Sequence, residues 1–296
     1  MRRTIRLGAA AAGMAAILAA GTTAMSASTA TAAGSDRADT SKRVTFLIHG
    51  YTYADCTNRW KTLKSFWRSY EWQGPIKSVG YYEKGDSNCD EHIARHATYN
   101  TRIQTIAKAL ANAVYRNYTS KGRSVNLVGH SMGGLIIRTA IWGTQHHRAG
   151  YPKSIDVANA VTLSTPHKGW DCTSSNNQCQ QMRPGSTFLK TLGGTLPEGK
   201  GGTDWTLLGS ELDRTVPWNS GVFYQHHADH KFHYLASQPK ADDSSLSHGG
   251  IREAGKDNWR YNMKYWNNGM KGSRHTKGGW SPLFAAYKAT YWAHRW

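Results

Sequence analysis

The sequence has no C-x-x-C pair, no H-E-x-x-H segment, no internal repeat and no Pro- or Ser-rich linker. It also has no uninterrupted run of about twenty strongly apolar residues. The first two absences argue against a cysteine-bound or zincin-type metal, although His226, His227, His230 and His233 lie within eight residues and His92 and His96 are four apart. Those histidines are read as surface or packing residues, and no metal is expected. The missing linker and repeat leave a single domain, and the missing apolar run leaves no transmembrane segment in the mature chain. Acidic residues are scarce, 19 against 37 Lys and Arg. No nucleic-acid-binding motif accompanies that excess, so no specific nucleic-acid partner is expected.

What is present begins with a leader. Met1, Arg2, Arg3 and Arg6 precede an Ala-rich apolar stretch, and Ala30-Thr31-Ala32 offers an A-x-A cleavage site. Residues 1–32 therefore read as a signal peptide and 33–296 as a secreted domain; the Arg pair leaves the export route open. Export decides the reading of the four cysteines, because an oxidising compartment favours disulfides. Three pairings are possible. Cys56 with Cys89 and Cys172 with Cys179 are preferred, the second closing a short loop. Without the leader's three arginines, 34 basic residues face 19 acidic ones, a surface suited to phospholipid headgroups or other anionic polymers.

The hydrophobic pattern alternates between strands and helices. Residues 43–48, 76–82, 124–128, 157–164, 205–208 and 231–236 read as strands. Helices are expected over 60–72, within 93–118, over 133–142 and over 282–294. Nearly all the strands are apolar, which predicts a mainly parallel sheet with helices on both faces. Residues 167–203, rich in Gly, Ser, Thr, Asn and Gln, break the pattern and read as a lid-like insertion. Residues 256–296 form a basic, Trp-rich C-terminal segment that either packs on the core or contacts anionic surfaces.

The chemistry is concentrated in Gly129-His130-Ser131-Met132-Gly133, a G-x-S-x-G spacing between an expected strand and an expected helix. Such a turn projects a serine hydroxyl, and its glycines avoid collision with neighbouring backbone. With the preceding His49-Gly50 and the following Gly134, the chain resembles the α/β-hydrolase superfamily, in particular bacterial secreted lipases and esterases. The resemblance implies an α/β-hydrolase fold with Ser131 as nucleophile and an oxyanion hole formed by the backbone N–H groups of Tyr51 and Met132. It also implies an acid just before Val216-Pro217 and a base in the loop after the last parallel strand. Asp213 fits the first, with Glu211 as the rival, and His248 fits the second. The expected reaction is hydrolysis of carboxylic esters without a cofactor, with acylglycerols or similar lipid esters as the leading substrate. An esterase for soluble or polymer-bound acyl groups, an acyltransferase with the same triad and a non-catalytic surface-binding protein are the alternatives. Oligomeric state is not legible.

Overall fold

The computed structural model describes residues 38–293 apart from 54, 87, 240–245, 257 and 268–271. The expected leader, 1–32, lies outside the described residues. In chain order the elements are β1 (Ala38–Asp39), β2 (Thr45–Ile48), α1 (Cys56–Ser69), β3 (Ile76–Tyr82), β4 (Glu91–Ala97), α2 (Ile103–Asn117), β5 (Val125–His130) and α3 (Met132–Gln145). They continue with β6 (Val157–Leu163), α4 (Asn177–Met182), α5 (Thr187–Leu192), β7 (Asp204–Ser210), α6 (Trp218–Gly221) and β8 (His230–Tyr234). The chain closes with β9 (Tyr261–Trp266), β10 (Arg274–Gly279), α7 (Pro282–Tyr291) and β11 (Trp292–Ala293).

Nine strands form one sheet in the order β10-β9-β8-β7-β6-β5-β2-β3-β4. Neighbours from β4 through β8 run parallel, and β9 and β10 extend the sheet antiparallel. Alternation of side chains explains why both faces are covered. In β2, Phe46 and Ile48 join the core beneath α2 and α3, whereas Leu47 joins the core beneath α1 and α7. Strand β5 divides in the same way, Val125 and Leu127 against Val128. Each fully buried aliphatic side chain of this kind contributes about 1.5–3 kcal/mol relative to exposure.

Two expectations need correction. The stretch read as helical from residue 93 is interrupted, because 91–97 form the edge strand β4 before α2 begins at Ile103. Its buried residues, Ile93 and Ala97, are four apart and suit either element, and Ala94 takes φ 46° where the pairing with β3 shifts register. His92 and His96 therefore stand on a strand and share no helix face. The C-terminal segment takes the first of its two readings and packs on the core. It supplies β9, β10 and α7, with Leu283, Ala285 and Ala286 fully buried.

Segment 167–203 is folded down rather than open. The Asn176 side chain caps α4 and the Ser186 side chain caps α5. Phe188, Leu189, Leu192 and Leu196 are buried in the same core as α2 and α3. Arg138 of α3, fully buried, donates to the carbonyls of Gly193 at 2.6 Å, Leu192 at 3.3 Å, and His167 and Thr195 at 3.4 Å. Desolvation pushes its pKa down to about 10. The cysteines pair as Cys56–Cys89 and Cys172–Cys179.

Candidate active site

At the carboxyl end of β5 the chain turns directly into α3, and Ser131 occupies the turn with φ 57° and ψ −130°. A residue with a side chain holds such a conformation only where its surroundings impose it. Two glycines permit the turn. A Cβ on Gly129 would stand 2.5 Å from the Gly134 nitrogen, and one on Gly133 would stand 2.1 Å from the Ile48 carbonyl oxygen. The turn is tied by the Thr165 hydroxyl, which donates to the Ser131 carbonyl at 2.9 Å.

Asp213 follows β7 and His248 follows β8, so the sheet order brings both to the edge where Ser131 projects. Asp213 Oδ2 lies 2.8 Å from His248 Nδ1, and His248 Nε2 lies 3.0 Å from Ser131 Oγ. A carboxylate only accepts, so the imidazole proton sits on Nδ1 and Nε2 is left as an acceptor facing the hydroxyl. The other carboxylate oxygen, Oδ1, accepts the backbone N–H groups of Thr215 at 2.8 Å and Val216 at 2.9 Å. Asp213 is thereby fixed by the Val-Pro turn that its position in sequence anticipates. Glu211, the rival acid, instead meets His233 at 3.0 Å.

Met132 opens α3, so its N–H has no acceptor within the helix and lies at the positive end of the helix dipole. Tyr51 follows Gly50, whose Cβ would fall 2.7 Å from the Ser131 Cβ, so the start of the Tyr51 loop lies directly against the serine. The Tyr51 ring packs on Tyr99 at 4.9 Å, and its hydroxyl accepts from the Asn176 side-chain amide. Segment 167–203 thus contributes to the wall of this cleft. Among the described residues, no group of three or more His, Cys, Asp or Glu is placed to hold a metal ion.

A family model described as a PGAP1-like alpha/beta domain matches residues 83–182, a span that includes the serine turn. No curated protein matches the chain. Aspergillus fumigatus lipase B is similar in structure with a TM-score of 0.51 and 14% identity, covering 71% of this chain and 49% of that one. The chain has the α/β-hydrolase fold. Bacillus licheniformis lipase BlEst2 in its propeptide form aligns with a TM-score of 0.43 and 17% identity over 72% of this chain and 48% of its own. Phospholipase PlaB from Legionella pneumophila aligns at 0.40 and 15% identity over 58% and 40%. The chain spans about half the length of the first of these proteins.

Two positions around the site escaped sequence reasoning. His130 Nε2 lies 2.6 Å from the His248 carbonyl oxygen, which can only accept, so His130 is a donor that anchors the backbone of the His248 loop. Burial, then the neighbouring His248, Arg252 and Arg59, push its pKa well below the ordinary imidazole value. The second position is Asp86, buried in the loop between β3 and β4. It accepts from His49 Nε2 at 3.1 Å and from the backbone N–H groups of Tyr81 at 2.7 Å and Tyr82 at 2.8 Å. Burial pushes its pKa up, but the hydrogen bond and charge of His49 and the two N–H donors outweigh this and leave it below the usual carboxylate value. Asp86 and the Tyr81 hydroxyl, which donates to the carbonyls of His49 at 2.8 Å and Gly50 at 2.7 Å, hold the His-Gly turn in place. Only the His-Gly and Gly-His-Ser words hinted at either role.

Three other histidines are held away from the serine. His167 is buried against the Thr162 hydroxyl at 3.0 Å, His233 stacks on Trp218 at 3.9 Å, and His230 lies 3.5 Å from Asp204.

Proposed function

We propose that the protein is a secreted serine hydrolase that cleaves carboxylic esters, with Ser131 as nucleophile, His248 as base and Asp213 as the acid that orients it. The observation that carries this reading is the continuous relay from Asp213 through His248 to Ser131, at 2.8 and 3.0 Å. His248 Nε2 takes the hydroxyl proton as Oγ attacks the ester carbonyl, and the resulting imidazolium is stabilised by Asp213. The tetrahedral oxyanion is held by the N–H groups of Met132 and Tyr51, each such donor being worth about 3 kcal/mol. His248 then protonates the departing alcohol. Water, deprotonated by the same base, releases the acid from the acyl-enzyme. The relay needs no cofactor.

The leading substrates are acylglycerols or similar lipid esters. An esterase for soluble or polymer-bound acyl groups is the second reading, favoured by the way Arg138 and four buried apolar side chains hold segment 167–203 down. A fluorophosphonate probe should label Ser131, and a series of p-nitrophenyl esters beside a triglyceride emulsion separates the two readings. Rising turnover with acyl length selects lipid esters, whereas a preference for acetate selects the esterase. Absence of both labelling and ester turnover would sink the assignment and leave a binding protein.

Peripheral contact with anionic surfaces belongs to the same proposal. Trp259 is 58% exposed with φ 72° and borders an open cavity of about 270 Å³ shared with Trp280 and Tyr265. Exposed Arg260, Lys264, Arg274 and Lys277 lie on the neighbouring chain. Trp259→Ala should reduce co-sedimentation with phosphatidylglycerol vesicles by about threefold; unchanged sedimentation would remove this surface from consideration. Deleting the last forty residues is no test of anchoring, because it would strip α7 from the core.

A further inference from the structure

Two arginines approach the serine site, one held against each loop that the proposed mechanism uses. Arg59, in the first turns of α1, donates through Nη2 to the Thr52 hydroxyl at 3.1 Å and to the Tyr53 carbonyl at 3.4 Å, one and two residues beyond Tyr51. Arg252, in the short 3-10 turn Gly250–Arg252, donates through Nη1 to the Gly249 carbonyl at 2.8 Å, one residue beyond His248. Helix α1 packs against this 3-10 turn, so the two guanidinium groups belong to one side of the cleft.

Their charges are poorly balanced. Arg252 has one carboxylate partner, Glu253 at 2.8 Å, whose side chain is 46% exposed. Arg59 forms no ion pair among the described residues, its hydrogen bonds going to the neutral oxygens of Thr52 and Tyr53. The Nε atom of each arginine is buried without a hydrogen-bond partner. Burial pushes the Arg252 pKa down, Glu253 opposes this and Arg59 adds to it, so the two cations feel each other. Both also act on His130, the residue before Ser131. Two like charges placed beside a reacting centre repel each other unless an anion joins them, and a guanidinium presents a planar fork suited to phosphate or carboxylate.

We infer that Arg59 and Arg252 form an anion subsite at the mouth of the cleft, which takes a phosphate or carboxylate carried by the ester substrate close to its scissile bond. This rests on the ester-hydrolase reading and deepens it: the preferred ester is acidic rather than neutral. A phosphate on the alcohol side describes a glycerophospholipid-like ester, and a carboxylate on the acyl side describes a half-ester of a dicarboxylic acid.

The experiment measures kcat/KM of the full-length protein on two pairs of esters and adds a labelling measurement. The phosphate arm compares dihexanoylglycerol with dihexanoylglycerol 3-phosphate, both below their aggregation limits. The carboxylate arm compares p-nitrophenyl butyrate with mono-p-nitrophenyl succinate. The third arm tests whether inorganic phosphate slows fluorophosphonate labelling of Ser131, which detects the subsite with free anion. Each is repeated with Arg59→Gln, Arg252→Gln, the double variant and the charge-keeping Arg252→Lys. The acidic-to-neutral ratio should fall about 10-fold with each Gln substitution, mainly through KM, and should be largely retained by Lys. The arm that responds identifies where the anion sits. Because both esters of a pair are read on the same preparation, the ratio does not depend on how much of a variant folds. A ratio unchanged in the double variant overturns the subsite, and so does a parallel fall on both esters of each pair, which assigns the arginines to holding the loops. A wild-type protein inactive on every ester of both pairs, and unlabelled by the fluorophosphonate, fails differently, because it removes the hydrolase reading itself.

Discussion

Ser131→Ala should lower kcat/KM on a soluble ester by about 10⁶-fold, because the proposed mechanism forms the acyl-enzyme on that hydroxyl. The residual rate comes from the oxyanion donors and binding, which the substitution leaves in place. The same position carries a stability prediction. Ser131 holds φ 57° and ψ −130°, and a backbone forced into such a region stores about 1–3 kcal/mol. Alanine keeps the Cβ and therefore the strain. Ser131→Gly relieves it, at a cost of about 0.5–1 kcal/mol from the freer unfolded chain. The glycine variant should thus be as inactive as the alanine variant yet more stable by about 1 kcal/mol in urea denaturation. Ester turnover that survives Ser131→Ala would end the mechanism. A glycine variant less stable than alanine would show that the turn is not strained.

Asp213→Asn is the second large effect, with kcat expected to fall about 10⁴-fold at neutral pH. The reason lies in the other side of the carboxylate. Oδ1 accepts two backbone N–H groups, so the asparagine must keep its carbonyl oxygen there, since its own NH₂ cannot face two donors. The NH₂ then points at His248 Nδ1 and requires that nitrogen to accept. The ring proton is displaced to Nε2, where it faces Ser131 Oγ, and the base is lost although every heavy atom remains in place. A fall of less than about 100-fold in steady-state kinetics would contradict this account.

Much of the central sheet was legible because its strands are buried on both faces and read as continuous apolar runs, as in Val125 to Val128. The serine turn was legible for a steric reason: Gly129 and Gly133 sit where any Cβ would strike neighbouring backbone. Other elements had weaker signals. Strand β4 hid inside a helix-like spacing because Ala94 interrupts its alternation. Strand β9 does alternate, Tyr261, Met263 and Tyr265 against Asn262 and Lys264, but the basic and Trp-rich composition around it masks that pattern. Strand β10, Arg274 to Gly279, carries no apolar pattern and is set by pairing alone. Within the site, the family resemblance supplied Asp213, His248, Tyr51 and Met132 as candidates. His130 and Asp86 act through partners distant in sequence, the carbonyl of residue 248 and the ring of His49, whereas Arg59 and Arg252 bond to nearby loop oxygens without any motif that marks them.

The grip of Arg138 on segment 167–203 bears on how the enzyme would meet its substrate. Swinging that segment away would strand a guanidinium inside the protein with its carbonyl partners gone, while Phe188, Leu189, Leu192 and Leu196 emerged into water. An oil droplet could compensate the second loss but not the first. The catalyst is therefore expected to work at the same pace on scattered molecules as on a pooled phase, its rate following dissolved concentration smoothly with no threshold where droplets appear.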